Sequence, residues 1–166
     1  MTARGQVSEG IAQMHEAGEQ LGSTGQRVVA THLTGLLAEA HLQIGDFRQA
    51  LHAIDLALDA AQTTAEHYFE PELYRIKGRA LSVHPAISSA EAEASFEKAI
   101  ELARKQQAKS YELRASADLA RLLRKQGRTN EARERLRGIY SWFTEGFDTA
   151  DLKDAKALLE ELSSSP

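Results

Sequence analysis

Arginine is the residue type in this sequence whose spacing best suits a binding chemistry. Arg114, Arg121, Arg124 and Lys125 recur at intervals of seven, three and one residues, which places them on one face of a helix. A planar guanidinium offers several N–H groups and suits bidentate contact with a carboxylate. The pattern therefore predicts a surface that holds carboxylate groups, either of an acidic peptide segment or of a chain terminus.

The corresponding faces of two earlier helices carry further polar side chains. Arg75 and Arg79 lie one helical turn apart, and His32 and Glu39 lie two turns apart on the first helix of the preceding pair. The candidate binding residues on these faces are His32, Glu39, Arg75, Arg79, Arg114, Arg121, Arg124 and Lys125. The alternative is that the arginines form solvated faces and pair with carboxylates on neighbouring helices, namely Glu72, Glu101, Glu112 or Asp118.

Other residue types assemble no catalytic or metal site. His15-Glu16 begins like a zinc-binding helix, but the residue four after His15 is Glu19 rather than a second histidine. Carboxylate pairs such as Asp55 and Asp59 lie on predicted solvent faces, where nothing directs them into a cleft. Cysteine is absent, which excludes thiol catalysis, disulfide frameworks and iron–sulfur clusters. We expect no enzymatic activity, no cofactor and no metal.

Length and composition favour one helical domain. The chain has 166 residues, a formal net charge of −4 and only 3 prolines, and it is rich in good helix formers. No apolar run approaches the ~20 residues of a membrane helix, and the first ten residues lack the apolar core of a secretory signal. We expect a single domain over residues 1–166, a cytoplasmic location and no membrane partner.

Apolar residues recur at three- and four-residue spacing along almost the whole chain, which predicts an all-α protein. Gly45 and Gly127 suit the turns after two helices, Pro85 ends another, and Ser88 or Ser89 caps the helix that follows. The predicted units are a partial repeat helix over 6–21, helix pairs over 25–63, 68–107 and 109–144, and a capping helix over 148–162.

The helix pairs repeat with a period of about 40 residues. Ala50, Ala92 and Ala132 occupy the same place in successive pairs, at intervals of 42 and 40 residues. The residue four positions after each is larger and apolar: Ile54, Phe96 and Leu136. Such a period indicates stacked helix pairs, because one pair cannot bury its apolar face alone.

This pattern resembles tetratricopeptide repeats with extended helices. The small residues Ala38, Gly78 and Ala120 on the first helices would pair with the alanines of the second helices. The units are longer than the common repeat of 34 residues, and they lack its usual tryptophan and closing proline. The resemblance implies a right-handed superhelical array with a C-terminal capping helix, in which the first helices of the pairs line a concave groove. It also implies that the eight candidate binding residues line this groove.

A narrower resemblance covers roughly residues 90–162. The stretches QAKSYELRASADLAR at 107–121, QGR at 126–128 and the segment 140–162 are similar to the C-terminal repeat region of large bacterial signalling proteins. In those proteins an adenylate or guanylate cyclase domain, or a DNA-binding regulator domain, precedes a predicted ATPase. The resemblance implies a regulatory or docking region, with no catalytic residue. Related regions of transcriptional activators are expected to bind inducers, so a small-ligand sensor is the alternative function.

Charge is distributed unevenly along the chain. Residues 98–137 contain 12 basic and 5 acidic side chains, whereas the remainder contains 8 basic and 19 acidic ones. We therefore expect a protein or peptide partner that is acidic. The acidity of the whole chain and the lack of a recognition-helix motif argue against nucleic acid. The unpaired helix over 6–21 indicates either a piece of a longer array or a homodimer through this end.

Four aromatic residues cluster in the sequence before the capping helix: Tyr140, Trp142, Phe143 and Phe147. We expect them to fill the junction between the last repeat and the capping helix, because large rings contribute most when they are buried. The alternative is an exposed anchor for a partner protein.

Overall fold

A computed structural model describes residues 9–14, 16, 27–64, 67–84 and 88–164. Within these ranges the chain is helical and contains no strand, so the prediction of an all-α protein is confirmed. A short 3₁₀ helix, His67–Phe69, precedes the third main helix. The main helices are α1 (Arg27–Ile44), α2 (Phe47–Thr64), α3 (Glu70–Val83), α4 (Ser89–Lys105), α5 (Lys109–Lys125), α6 (Thr129–Tyr140) and α7 (Ala150–Ser164).

The helix predicted over 6–21 lies largely outside the described residues. Residues 9–14 and 16 are helical, and Ile11 packs with Leu37 and Ala40 of α1. The hypothesis of a dimer through this end concerns a segment that the structure describes only in part, and it stays a hypothesis.

Local sequence accounts for the helix boundaries. Gly45 and Gly127 follow α1 and α5 with φ angles of +81° and +79°, in the left-handed region that glycine adopts at little cost. Ser88 caps α4, because its side chain accepts a hydrogen bond of 3.2 Å from the Ala90 N–H. The turn between α4 and α5 has no glycine, and Gln107 takes the positive φ there instead, at 57°.

The helices pack in chain order, and the odd-numbered ones form a continuous layer. Each helix packs against the next, and α1, α3, α5 and α7 also contact the following member of that series. Among the described residues, no contact of comparable extent joins α2 to α4 or α4 to α6. All eight residues of the predicted groove belong to α1, α3 and α5, so this layer positions the candidate site.

Small residues allow the helices to approach closely. The Phe96 ring of α4 lies so near Gly78 of α3 that a Cβ atom there would stand 2.6 Å from it. The ring itself is 1% exposed, so it fills the space that the missing side chain leaves. The alanines predicted at helix contacts are all buried: Ala38, Ala50, Ala92, Ala120 and Ala132.

Candidate functional site

Two neighbouring cavities lie along the layer of odd-numbered helices, and both are lined by Asp118 and Arg121 of α5. The first, of about 240 Å³, is called the charge cavity here and is lined by Glu39, Glu72, Arg75, Leu113, Arg114, Ala117, Asp118, Arg121, Asp151 and Asp154. The second, of about 230 Å³, is called the amphipathic groove and is lined by Leu42, Gln43, Arg79, Ser82, Val83, Phe96, Asp118, Arg121, Leu122 and Lys125. Six of the eight predicted site residues therefore line one cavity or both.

Helical spacing brings these side chains together. On α3, Arg75 and Arg79 lie one turn apart, and on α5, Arg114, Asp118 and Arg121 follow at intervals of four and three residues. Residues at such intervals share one face of a helix. Because α3 and α5 pack side by side, their polar faces meet along one line and form the two cavities.

Arg75 lies at the centre of the charge cavity, with a side chain that is 9% exposed. Its guanidinium donates to both carboxylate oxygens of Glu72 at 2.8 and 2.9 Å, to Asp118 at 2.6 Å and to Glu39 at 2.9 Å. Burial by itself lowers the pKa of Arg75, but the hydrogen bonds and charges of Glu72 and Asp118 outweigh burial and raise this pKa above its usual value. The guanidinium therefore stays charged, with its donors engaged inside the protein.

The ion pairs continue from this guanidinium to the helices on either side. Arg79 donates to Glu39 of α1 at 2.7 Å. In the other direction, Arg114 of α5 donates to Glu72 at 3.4 Å and to Asp151 of α7 at 2.7 Å. The network thus links α1, α3, α5 and α7, which are the four members of the layer.

Arg121 forms the second link between α5 and α7. Its Nη2 lies 2.6 Å from both carboxylate oxygens of Asp154, and its Nη1 lies 3.2 Å from Asp118. Burial lowers the pKa of Arg121, but the hydrogen bond and charge of Asp154, together with Asp118, outweigh burial and raise the pKa. Both terminal nitrogens of Arg121 are therefore already engaged by carboxylates.

The charge cavity contains more carboxylates than guanidinium groups. Its lining includes three arginines and five acidic side chains, so the local charge is negative and each arginine is paired. Arg75, Arg114 and Arg121 lie together in this cavity, and Glu72 and Asp118 are partners that the alternative interpretation named. Asp151 and Asp154 were not foreseen. Their three-residue spacing on a predicted helix was the available signal, because it puts both carboxylates on one face.

The amphipathic groove has the opposite charge balance. Among the described residues that line it, the cations are Arg79, Arg121 and Lys125, and the one carboxylate is Asp118. Lys125 is exposed and makes no ion pair with any residue that the structure describes. The apolar side of the groove comprises the buried Phe96 and Leu122, the half-buried Leu42 and the exposed Val83. The groove thus combines a cationic rim with an apolar floor.

Two predicted site residues lie elsewhere. The His32 ring contacts Phe69 edge to face, with 4.5 Å between the ring centres, and His32 lines neither cavity. Arg124 pairs with Glu161 of α7 and likewise lines neither cavity. Both belong to the odd-numbered helices, but His32 lies two turns before Glu39, and Arg124 lies on the side of α5 that meets α7.

The aromatic group before α7 divides into two roles. Tyr140 and Phe143 are partly buried and pack against the main core cluster, as expected for a filled junction. Trp142 and Phe147 are 57% and 47% exposed, and Lys109 lies 5.6 Å from the centre of the Trp142 ring. Tyr140 and Phe143 thus lie in the core as expected. Trp142 and Phe147 are exposed, as an anchor for a partner protein would be.

The described part of the chain contains no group of three or more histidine or acidic side chains that could hold a metal ion. None of its helices has the length and apolar character needed to cross a membrane.

Comparison with known proteins does not assign this chain to a family. No family model matches it, and no curated protein matches it either. The resemblance to tetratricopeptide repeats therefore stays a prediction, and the two cavities provide the structural evidence on function.

Proposed function

We propose that this chain is a non-enzymatic protein-interaction module that docks an acidic segment of a partner protein in the amphipathic groove. We further propose that its helix layer is a right-handed superhelical array of the tetratricopeptide type, with α7 as the capping helix. The packing of each odd-numbered helix on the next supports this arrangement, as does the period of about 40 residues in the sequence.

The observation that carries the proposal is the composition of the amphipathic groove. Three cations surround it against one carboxylate, and Lys125 has no acidic partner among the described residues. An acidic segment would gain charge-assisted hydrogen bonds at this rim. Its apolar side chains would cover Val83 and the floor formed by Phe96 and Leu122.

The charge cavity is the less suitable of the two sites for such a segment. Its arginines already donate to Glu39, Glu72, Asp118, Asp151 and Asp154. An additional carboxylate would have to displace one of these and would be repelled by the rest. We therefore place the docking site at the rim of the amphipathic groove, where Lys125 makes no ion pair with any described residue, while Arg79 and Arg121 are paired with Glu39 and Asp154.

The size of the groove favours a segment of peptide over a large ligand. Pockets for drug-sized molecules and cofactors span roughly 300 to 1,000 Å³, whereas the groove encloses about 230 Å³. That volume suits one or two side chains. It also suits a small amphipathic carboxylate, which is the ligand expected if the protein is a sensor.

The resemblance of residues 90–162 to the repeat region of bacterial signalling proteins further supports a regulatory role in bacterial signalling.

Binding can be tested with two peptide libraries and two matched variants. Heptapeptides with Glu fixed at two positions should be retained by the immobilised protein, with apolar residues enriched beside Glu, while the same library with Lys at those positions should not. Lys125→Glu should weaken binding of the best acidic peptide about five- to tenfold, because it reverses a charge at the rim.

Lys105→Glu is the control for this experiment. Lys105 ends α4 as Lys125 ends α5, both are exposed, and Lys105 lines neither cavity. The proposal fails if neither library is retained, or if the two variants weaken binding equally. Retention of a small apolar carboxylate, such as hexanoate in a thermal-shift assay, together with no retained peptide would favour the sensor function instead.

A further inference from the structure

Arg121 lines both cavities, so its ion pairs affect the docking site as well as the charge cavity. It lines the amphipathic groove as well as the charge cavity, and its guanidinium is paired with Asp154 of α7. Of the three groove cations, Lys125 makes no ion pair with any described residue, whereas Arg79 and Arg121 are already engaged by carboxylates of the same chain. Any acidic segment in the groove therefore meets an internal competitor.

We propose that Asp154 is a specificity-determining residue, which occupies Arg121 and so restricts the groove to segments that can compete with it. The inference rests on the proposed function. Nη2 of Arg121 contacts both oxygens of Asp154 at 2.6 Å, while its contact with Asp118 through Nη1 is longer, at 3.2 Å. Asp154 is therefore the stronger of the two internal partners.

The ion pair between Arg121 and Asp154 can open without unfolding α7. The Asp154 side chain is 54% exposed, and that of Arg121 is 36% exposed, so water can replace either partner. The backbone of α7 is fixed independently of this pair, because Leu152, Ala155, Leu158 and Leu162 are buried in the core cluster that α7 shares with α5 and α6. The side chain of Asp154 can therefore release Arg121 while α7 stays in place.

A second residue of α7 gives a closely matched control. Asp151 pairs with Arg114 at 2.7 Å, so this pair joins the same two helices through the same two residue types. Arg114 lines the charge cavity and not the amphipathic groove. Removing the charge of Asp151 should therefore disturb the α5–α7 contact in the same way and leave the groove unaltered.

The test measures the affinity of the best-retained acidic heptapeptide, by fluorescence anisotropy, for the unaltered protein, Asp154→Asn and Asp151→Asn. Exposed ion pairs contribute about 0.2 to 1 kcal/mol, so releasing Arg121 should tighten binding about two- to fivefold. Asp151→Asn should leave the affinity unchanged. In the double variant Asp154→Asn with Arg121→Gln, the gain should disappear, because it acts through the guanidinium.

The possible outcomes distinguish the inference about Asp154 from the proposed docking function. If the unaltered protein binds the peptide and Asp154→Asn binds it no more tightly, the inference about Asp154 is wrong and the docking function stands. If Asp151→Asn tightens binding as much as Asp154→Asn, loosening of α7 is the cause, and the inference is again wrong. If neither the unaltered protein nor Asp154→Asn retains any acidic peptide, the docking function fails and this inference fails with it.

Discussion

Charged side chains are kept inside this helix layer by pairing with several partners at once. Arg75 is the clearest example, since its four hydrogen bonds reach carboxylates on α1, α3 and α5. Taking a charge out of water costs several kcal/mol unless its donors are satisfied. A fully engaged guanidinium is therefore a structural group, and this is why binding is assigned to the less engaged cations at the edge of the layer.

Glu112 provides a test of this principle at the level of one residue. Its side chain is 5% exposed and accepts hydrogen bonds from Arg104 at 2.7 Å and from Lys109 at 2.8 Å. Burial raises the pKa of Glu112, but these two bonds outweigh burial and lower the pKa below its usual value of 4.5. A depressed folded-state pKa stabilises the protein above the unfolded-state pKa, and this contribution is lost as the pH falls through the folded-state pKa.

We therefore expect Glu112→Gln to reduce the free energy of unfolding at pH 7 by about 1 to 3 kcal/mol. The difference from the unaltered protein should shrink as the pH falls from about 5 towards 3. Urea unfolding at a series of pH values measures this difference in the free energy of unfolding. Glu101→Gln, which removes an exposed pair with Lys98, should change the stability by less than about 1 kcal/mol. If the stability lost in Glu112→Gln does not change with pH, this expectation is wrong.

At the scale of the elements, close contact between α3 and α4 depends on one glycine. Gly78 leaves room for the Phe96 ring, which is buried and cannot easily withdraw. An added methyl group would either displace this ring or separate the two helices, because protein interiors are close-packed.

Gly78→Ala should therefore lower the free energy of unfolding by about 1 to 3 kcal/mol through overpacking, despite the better helix propensity of alanine. Gly138→Ala in α6 is the control, since a Cβ there meets no atom within 4 Å. It should be neutral or stabilise by up to about 1 kcal/mol. Thermal unfolding of both variants measures the difference. Equal stability of the two would show that Phe96 can move aside.

At the scale of the whole molecule, the core follows the order of the chain. Buried side chains of α1, α2 and α3 form one cluster around Ile54 and Leu73. Those of α4 to α7, with Leu81 of α3, form another around Leu119 and Leu136. In such an arrangement each helix is stabilised mainly by its neighbours, so stability can vary along the stack.

Leu158→Ala should therefore act locally. It removes a side chain of α7 that is 3% exposed, at a cost of about 2 to 5 kcal/mol. Amide hydrogen exchange should accelerate most in α6 and α7 and least in α2. Ile54→Ala, in the other cluster, should give the reverse gradient. Uniform acceleration in both variants would indicate that the layer unfolds as a single cooperative unit.

The helices and their ends were predictable because the signals for them are local. Periodicity, Gly45, Gly127 and Ser88 act within a few residues of chain, and the structure places helix boundaries at these residues. Interruptions without a distinctive residue were missed. The 3₁₀ helix at His67–Phe69 is one, and the end of α6 at Tyr140, the first residue of the aromatic group, is another.

Residue spacing alone predicts the helical class of this protein and the faces on which its arginines lie. What those arginines contact depends on how the helices pack. Charge patterning cannot reveal that Asp151 and Asp154 of α7 meet Arg114 and Arg121 of α5, because the pairing depends on how far one helix slides along the next. The same packing fixed which cations remain accessible, and it left Lys125 at the groove.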